Sequence, residues 1–284
     1  MKLLITGVSG QLGKAVYKIS RHETYGTYLK NRPTENNSRF FKIDIGNKSD
    51  VERLTKKIKP DWVFHFASET NVDLCEENKD LAFRSNVVGT KNIADACASV
   101  NAKLLLVSSD YVFDGKRGHY KEMDVPNPPN FYAKTRLMGE WMALTNPQTL
   151  IARTSILYSS AGKFASWVLS AAKKGEITAI TDLYNCPTFT TELAENLLKM
   201  AKKDLRGVYH TVGSERISKY DFVKKFVQVF GYGPDIVKPI KMKDVPFKAA
   251  RVRDSSLDIS KIRKEGIKFS GVDDALKRLK KEIA

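Results

Sequence analysis

Cysteine is scarce in this 284-residue chain: Cys75, Cys97 and Cys186 are the three, odd in number and never spaced as a metal pair. That excludes a disulfide framework and a cysteine zinc site, and leaves ordinary reduced thiols. Histidine is equally sparse, and His22, His65, His119 and His210 share no metal spacing. No metal is expected, with His65 a sheet residue and His210 structural. Long apolar runs are missing too: none approaches the roughly 18 uncharged residues of a membrane span. The apolar stretch in Met1-Lys2-Leu3-Leu4-Ile5-Thr6-Gly7 breaks too early for a signal-peptide core. The expectation is a soluble, cytoplasmic chain with no membrane partner.

Acid is short relative to base, with 48 Lys and Arg against 32 Asp and Glu and a net charge of +16. The basic pairs (Lys56-Lys57, Lys173-Lys174, Lys202-Lys203, Lys224-Lys225, Lys280-Lys281) are scattered over segments patterned as amphipathic helices. Solvated helix faces account for most of them, and no stacking aromatic motif accompanies the charge, so no nucleic-acid partner is expected. What remains is a positive field that draws anionic small molecules.

Through the first half, apolar runs of strand length alternate with helical patterns, the signature of a parallel sheet wound by crossover helices. Leu3 to Ile5, Tyr25 to Tyr28, Trp62 to Phe66, Leu104 to Val107 and Thr149 to Arg153 read as strands. Gly13 to Arg21, Val51 to Ile58, Leu81 to Val100 and Tyr132 to Leu144 read as helices. Further on come helix Phe164 to Lys174, a loop at Asp182 to Thr188, helix Glu192 to Lys203, strand Gly207 to His210 and helix Lys219 to Phe230. The fold class is α/β: a Rossmann-type doubly wound parallel sheet with a smaller C-terminal substrate-binding lobe. The nucleotide-binding part is expected at 1–153 plus about 186–212, and the lobe at about 154–185 and 213–284.

Gly7-Val8-Ser9-Gly10-Gln11-Leu12-Gly13 follows the first strand and opens the first helix. Glycines there let the backbone turn tightly and approach a pyrophosphate at the helix N-terminus. The Gly-x-x-Gly-x-x-Gly spacing resembles the extended short-chain dehydrogenases. An NAD site would place an acid at the end of the second strand; here that strand ends Tyr28-Leu29-Lys30-Asn31-Arg32. Lys30 and Arg32 suit a 2′-phosphate, so NADP, as NADPH, is the expected cofactor. The resemblance further assigns Asp44-Ile45 to the adenine side and Phe66-Ala67-Ser68 to the stretch along the cofactor.

Ser108-Ser109-Asp110-Tyr111-Val112-Phe113-Asp114-Gly115 is the most specific segment. It resembles the Ser-Thr-Asp-Tyr-Val-Phe-Asp-Gly of the dTDP-4-dehydrorhamnose reductase family, with Ser109 in place of the catalytic threonine. Phe131-Tyr132-Ala133-Lys134-Thr135-Arg136-Leu137-Met138-Gly139-Glu140 then resembles Tyr-x-x-x-Lys followed by Leu-x-Gly-Glu. The lysine position holds Arg136. Because positions i and i+4 share a helix face while i+2 points away, Arg136 rather than Lys134 reaches the site of Tyr132. The resemblance covers nearly the whole chain and departs at Ile156, Leu183 and Val252, where those reductases carry Trp, Gln and Pro. It implies catalytic roles for Ser109, Tyr132 and Arg136, and cofactor contact for Gly7, Ser9, Gly10, Gln11, Leu12, Gly13, Asn86, Tyr132 and Arg136. Substrate contact is implied for Thr70, Val72, Ser109, Asp110 and Tyr111. The implied reaction is NADPH-dependent reduction of a 4-keto-6-deoxy nucleotide sugar, in a chain that can form a homodimer. The alternatives are a nucleotide-sugar epimerase or dehydratase, and a non-catalytic NADP-binding subunit like the regulatory relatives of methionine adenosyltransferase.

Overall fold

The structure, a computed structural model, describes residues 1–34 and 38–283. Its centre is a seven-stranded sheet of β1 (Lys2–Thr6), β2 (Glu23–Tyr28), β3 (Phe40–Lys42), β4 (Trp62–His65), β5 (Lys103–Ser109), β6 (Thr149–Thr154) and an edge strand, Gly207–His210. Their order is edge strand, β6, β5, β4, β1, β2, β3, with every neighbouring pair parallel. The inner strands are apolar runs rather than alternations because helices cover both faces. Leu3, Ile5, Phe64, Leu105 and Leu150 pack on one side, and Leu4, Val63, Leu104, Leu106 and Ile151 on the other. From β1 the chain runs to β2 on one side, and β4 then returns to the other. That reversal opens a crevice at the strands' C-terminal ends, where ligands of such sheets bind.

The helices are α1 (Gln11–Ile19), α2 (Lys48–Ile58), α3 (Val72–Glu77), α4 (Lys79–Phe83), α5 (Gly89–Ser99), α6 (Phe131–Ala143), α7 (Lys163–Lys173), α8 (Thr190–Lys202) and α9 (Lys219–Val229), followed by short Ser260–Lys264 and terminal Val272–Ile283. Asn47, Asn71, Asn78, Asn130 and Ser218 cap α2, α3, α4, α6 and α9 by accepting from first-turn amides. The helix expected over Leu81 to Val100 is interrupted by a π-type turn at Arg84–Val88, between α4 and α5. Close packing against α6 goes with this widening: a Cβ on Gly139 would lie 2.6 Å from the Asn86 carbonyl oxygen. That same carbonyl accepts the Thr90 hydroxyl at 2.7 Å.

A separate apolar cluster of Tyr158, Val168, Phe189, Phe222, Phe226 and Leu276 fills the C-terminal part. The expected loop at Asp182 to Thr188 holds two short strands, Tyr184–Asn185 and Thr188–Phe189, paired with Ile217–Ser218 and Leu157–Tyr158. Two-residue strands leave no periodicity to read, and their partners lie some thirty residues away, so only the tertiary fold defines them.

Candidate active site

At the sheet's C-terminal end lies a cleft of about 510 Å³. Gly7, Gly10, Gln11, Leu12 and Gly13 form one wall. Gly7 sits at φ +72°, and a Cβ there would lie 2.9 Å from the Ala67 amide nitrogen; a Cβ on Gly13 would lie 2.4 Å from the Gly7 carbonyl oxygen. Only glycine permits this approach of turn, helix and β4 exit. No side chain caps α1, so its first-turn amides stay open toward an anion. Phe66 and Ser68 continue the wall, while the Ala67 amide turns inward to the Thr6 hydroxyl at 3.2 Å. Ser9 lies half-buried on the glycine turn, outside the cleft lining.

The other wall is catalytic in character. Ser109, Asp110 and Tyr111 at the end of β5, Tyr132 and Arg136 on α6, and Thr70 and Val72 from the β4–α3 connection all line it. Tyr132 and Arg136 share a face of α6, and Lys134 is exposed. Burial raises the Tyr132 phenol above its ordinary pKa, and the Arg136 charge and the Ser109 hydroxyl oppose that rise. Arg136 is buried, and one of its terminal nitrogens donates to the Val107 carbonyl. His65 stands beneath. The Thr90 hydroxyl donates to Asn86 and so receives His65 Nε2–H at 3.0 Å, while Nδ1 accepts from Thr6 at 2.6 Å. Burial and the neighbouring Arg136 push this imidazole down to about 3, which keeps it neutral.

The model of the RmlD substrate binding domain matches residues 1–284. A dTDP-4-dehydrorhamnose reductase of Aggregatibacter actinomycetemcomitans is 33% identical, over 98% of this chain and 98% of its own. This chain belongs to the dTDP-4-dehydrorhamnose reductase family of extended short-chain dehydrogenases. The methionine adenosyltransferase 2 subunit beta of Xenopus tropicalis is similar as well, at 32% identity over 94% of this chain and 83% of its own. The crystal structure of a Bacillus anthracis dTDP-4-dehydrorhamnose reductase in complex with NADP superposes with a TM-score of 0.90 at 29% identity, covering 99% of each chain.

Within this reductase-family cleft, seven of the expected cofactor residues lie outside the lining: Ser9, Lys30, Arg32, Asp44, Ile45, Ala67 and Asn86. Asn86 is fully buried: its oxygen accepts from the Glu69 amide at 2.8 Å, and its nitrogen donates to Glu69 O at 3.1 Å and Thr135 Oγ1 at 3.0 Å. Its amide pins the β4–α3 connection instead of facing the cleft. Asp44 accepts from the Gly46 amide at 2.8 Å and pairs with Arg84 at 2.7 Å, at the end of β3 beyond the cleft lining. Ile45 is packed beneath it, and Lys30 and Arg32 are exposed at the end of β2. The cleft also takes Val107, Ser108, Thr154, Ser155 and Leu157, none of them assigned a role from sequence, and Ile156, one of the positions where the resemblance departs. Their place at the ends of β5 and β6, where parallel sheets bind ligands, was the available signal.

The cleft fits a dinucleotide. Besides the uncapped α1 and its glycine turn, two buried polar atoms at its wall, Arg136 Nε and Ser108 Oγ, lack a partner among the described residues. Buried polar groups are ordinarily satisfied, so these two donors are left for a ligand or a water at the wall.

Proposed function

We propose that this chain uses NADPH to reduce the C4 ketone of a 4-keto-6-deoxy nucleotide sugar, the reaction of dTDP-4-dehydrorhamnose reductase. The observation that carries this reading is the meeting of Ser109, Tyr132 and Arg136 in one cleft with the uncapped glycine turn. When bound, NADPH supplies the hydride. The chain supplies the rest. Ser109 hydrogen-bonds the ketone oxygen, Tyr132 delivers the proton, and Arg136 stabilises the tyrosinate as charge develops and binds ribose hydroxyls through its free donors. Gly7, Ser9 and Gly10 to Gly13 hold the pyrophosphate, Lys30 and Arg32 the 2′-phosphate, and Phe66 to Ser68 with Asp44-Ile45 the nucleotide's flank. Thr70, Val72 and Tyr111 edge the sugar.

Residues 1–153 with about 186–212 form the nucleotide part, and about 154–185 with 213–284 the substrate lobe. The enzyme works in the cytoplasm, as a homodimer where it self-associates; no described helix is long and apolar enough to cross a membrane. The test is NADPH oxidation with a dTDP-linked 4-keto-6-deoxyhexulose, where turnover is expected. Arg136 at the lysine position favours a second reading, a cofactor-binding subunit that associates with a methionine adenosyltransferase. Capture of that enzyme without turnover would favour it.

A further inference from the structure

Asp110 is almost fully buried at the cleft wall, and both of its carboxyl oxygens are occupied by serine hydroxyls. Ser109 Oγ lies 3.0 Å from Oδ1, and Ser155 Oγ and Ser255 Oγ lie 2.7 and 2.6 Å from Oδ2. Ser255 comes from a segment 145 residues away, so the carboxyl joins three parts of the chain. Ser109 also accepts from the Tyr111 amide at 3.2 Å, and it lines the same cleft wall as Tyr132, near enough for its hydroxyl to lower the phenol's pKa.

A serine hydroxyl has one proton, and an ionised carboxylate only accepts. With Asp110 ionised, Ser109 points its proton at Oδ1 and offers a ketone oxygen nothing but lone pairs. With a proton on Oδ1, the carboxyl donates to Ser109, whose own proton is released toward the cleft; Oδ2 keeps both of its serine donors. Tyr132 also needs a proton after each reduction. Arg136 cannot give one, because a guanidinium stays protonated at every relevant pH. His65 directs its N–H to Thr90, and burial pushes the Cys75 thiol up to about 12.

We propose that Asp110 is the proton reserve of this site: protonated, it turns the Ser109 hydroxyl toward the substrate, and it resupplies Tyr132 through Ser109 after each turnover. This rests on the reductase reading. In the relay the Ser109 O–H bond breaks as the Tyr132 O–H bond forms, and the Asp110 O–H bond breaks as a new Ser109 O–H bond forms. What remains is Asp110 carboxylate held by three serine donors, and water in the cleft returns the proton. Tyr111 on its own segment, Tyr132 on α6 and Cys186 feel the charge of Asp110; Arg136 and Cys75 act on Tyr132, Arg251 and Asp73 on Tyr111, and Asp254 and Arg216 on Cys186. Burial raises the carboxyl above the usual carboxylate range, against the three hydroxyls and the Tyr111 amide.

The test is Asp110→Asn, whose side-chain amide still donates to Ser109 but has no proton to pass on. NADPH affinity is expected to hold, and the first turnover in stopped flow to stay within about threefold of the parent. Steady-state turnover is expected to fall at least about tenfold and to lose the parent's decline at alkaline pH. Equal loss in both phases, or no loss, overturns the relay. Ser255→Ala keeps the carboxyl and removes one donor to its ionised form, so the alkaline limb should move to higher pH; an unmoved limb overturns the proposal. Infrared spectra of the parent report the proton without turnover: a carboxylic acid band at neutral pH, lost on alkalisation, is expected, and its absence overturns the proposal. A parent with that band but no NADPH oxidation would instead count against the reductase reading.

Discussion

The two ends of the cleft are built by different means. The nucleotide end is made of backbone: a left-handed Gly7, a helix start with no side-chain cap, and a strand exit that fits only against glycine. The catalytic end is made of side chains gathered from distant segments. Asp110 binds Ser155 and Ser255, and Arg251 reaches Asp73 across 178 residues at 2.9 Å. A site made of backbone tolerates many side-chain changes but few at its glycines. A site made of side chains fails at single positions while its cofactor still binds.

The sharpest way to separate the two ends is Tyr132→Phe. The ring still packs edge-to-face on Tyr111, with centroids 6.2 Å apart, so NADPH affinity should hold. Turnover should fall by about 10² to 10⁴ with the proton donor gone. A phenylalanine variant that turns over like the parent would take Tyr132 out of the chemistry.

Both ends share a liability to acid. His65 beneath the nucleotide end and His210 on the edge strand beside β6 are buried, and burial is the main reason each is pushed down to about 3. An imidazole whose folded pKa lies below its unfolded value stabilises the fold above the ordinary histidine range, and that contribution is lost as pH falls toward about 3. Denaturant melts at pH near 7.5 and near 5.5 should therefore differ by about 2 to 3 kcal/mol. Identical midpoints would show that the two rings take up protons as freely folded as unfolded.

Smaller effects should divide by end. Changing Lys30 and Arg32 together to Ala should weaken NADPH by about 1 to 3 kcal/mol and leave NADH nearly untouched, if both pair with the 2′-phosphate. Equal losses in a titration would place the phosphate elsewhere. Lys248→Ala, which removes an exposed pair with Glu77 outside the cleft lining, should leave the unfolding midpoint nearly unchanged. A clear loss would mean that this pair is more than a screened surface contact.

The contrast also explains what could be read from residues alone. The strands and the glycine turn announced themselves because their signals are local: apolar runs of strand length and Gly-x-x-Gly-x-x-Gly before a helix. Tyr132 and Arg136 were placed on one face by helix geometry, and the exposed Lys134 agrees with it. Asn86 was marked as a cofactor residue because its neighbourhood matched a motif; only the fold reveals that Glu69 and Thr135 engage its amide. The serine cradle of Asp110 had no local signal, since Ser155 and Ser255 meet it only through β6 and a C-terminal segment.

Arg136 is where the central claim can be tested directly. Arginine keeps a positive charge beside the Tyr132 phenol but trades a compact ammonium for a broad planar group. NADPH oxidation with a 4-keto-6-deoxy nucleotide sugar should be measured for the parent, Arg136→Lys and Arg136→Met side by side. The account predicts a working but slow parent, a lysine variant at least as active, and a methionine variant nearly inactive with its fold intact. A parent with no turnover, and a lysine variant that creates activity from nothing, would contradict it and leave a cofactor-binding relative whose catalytic site has decayed.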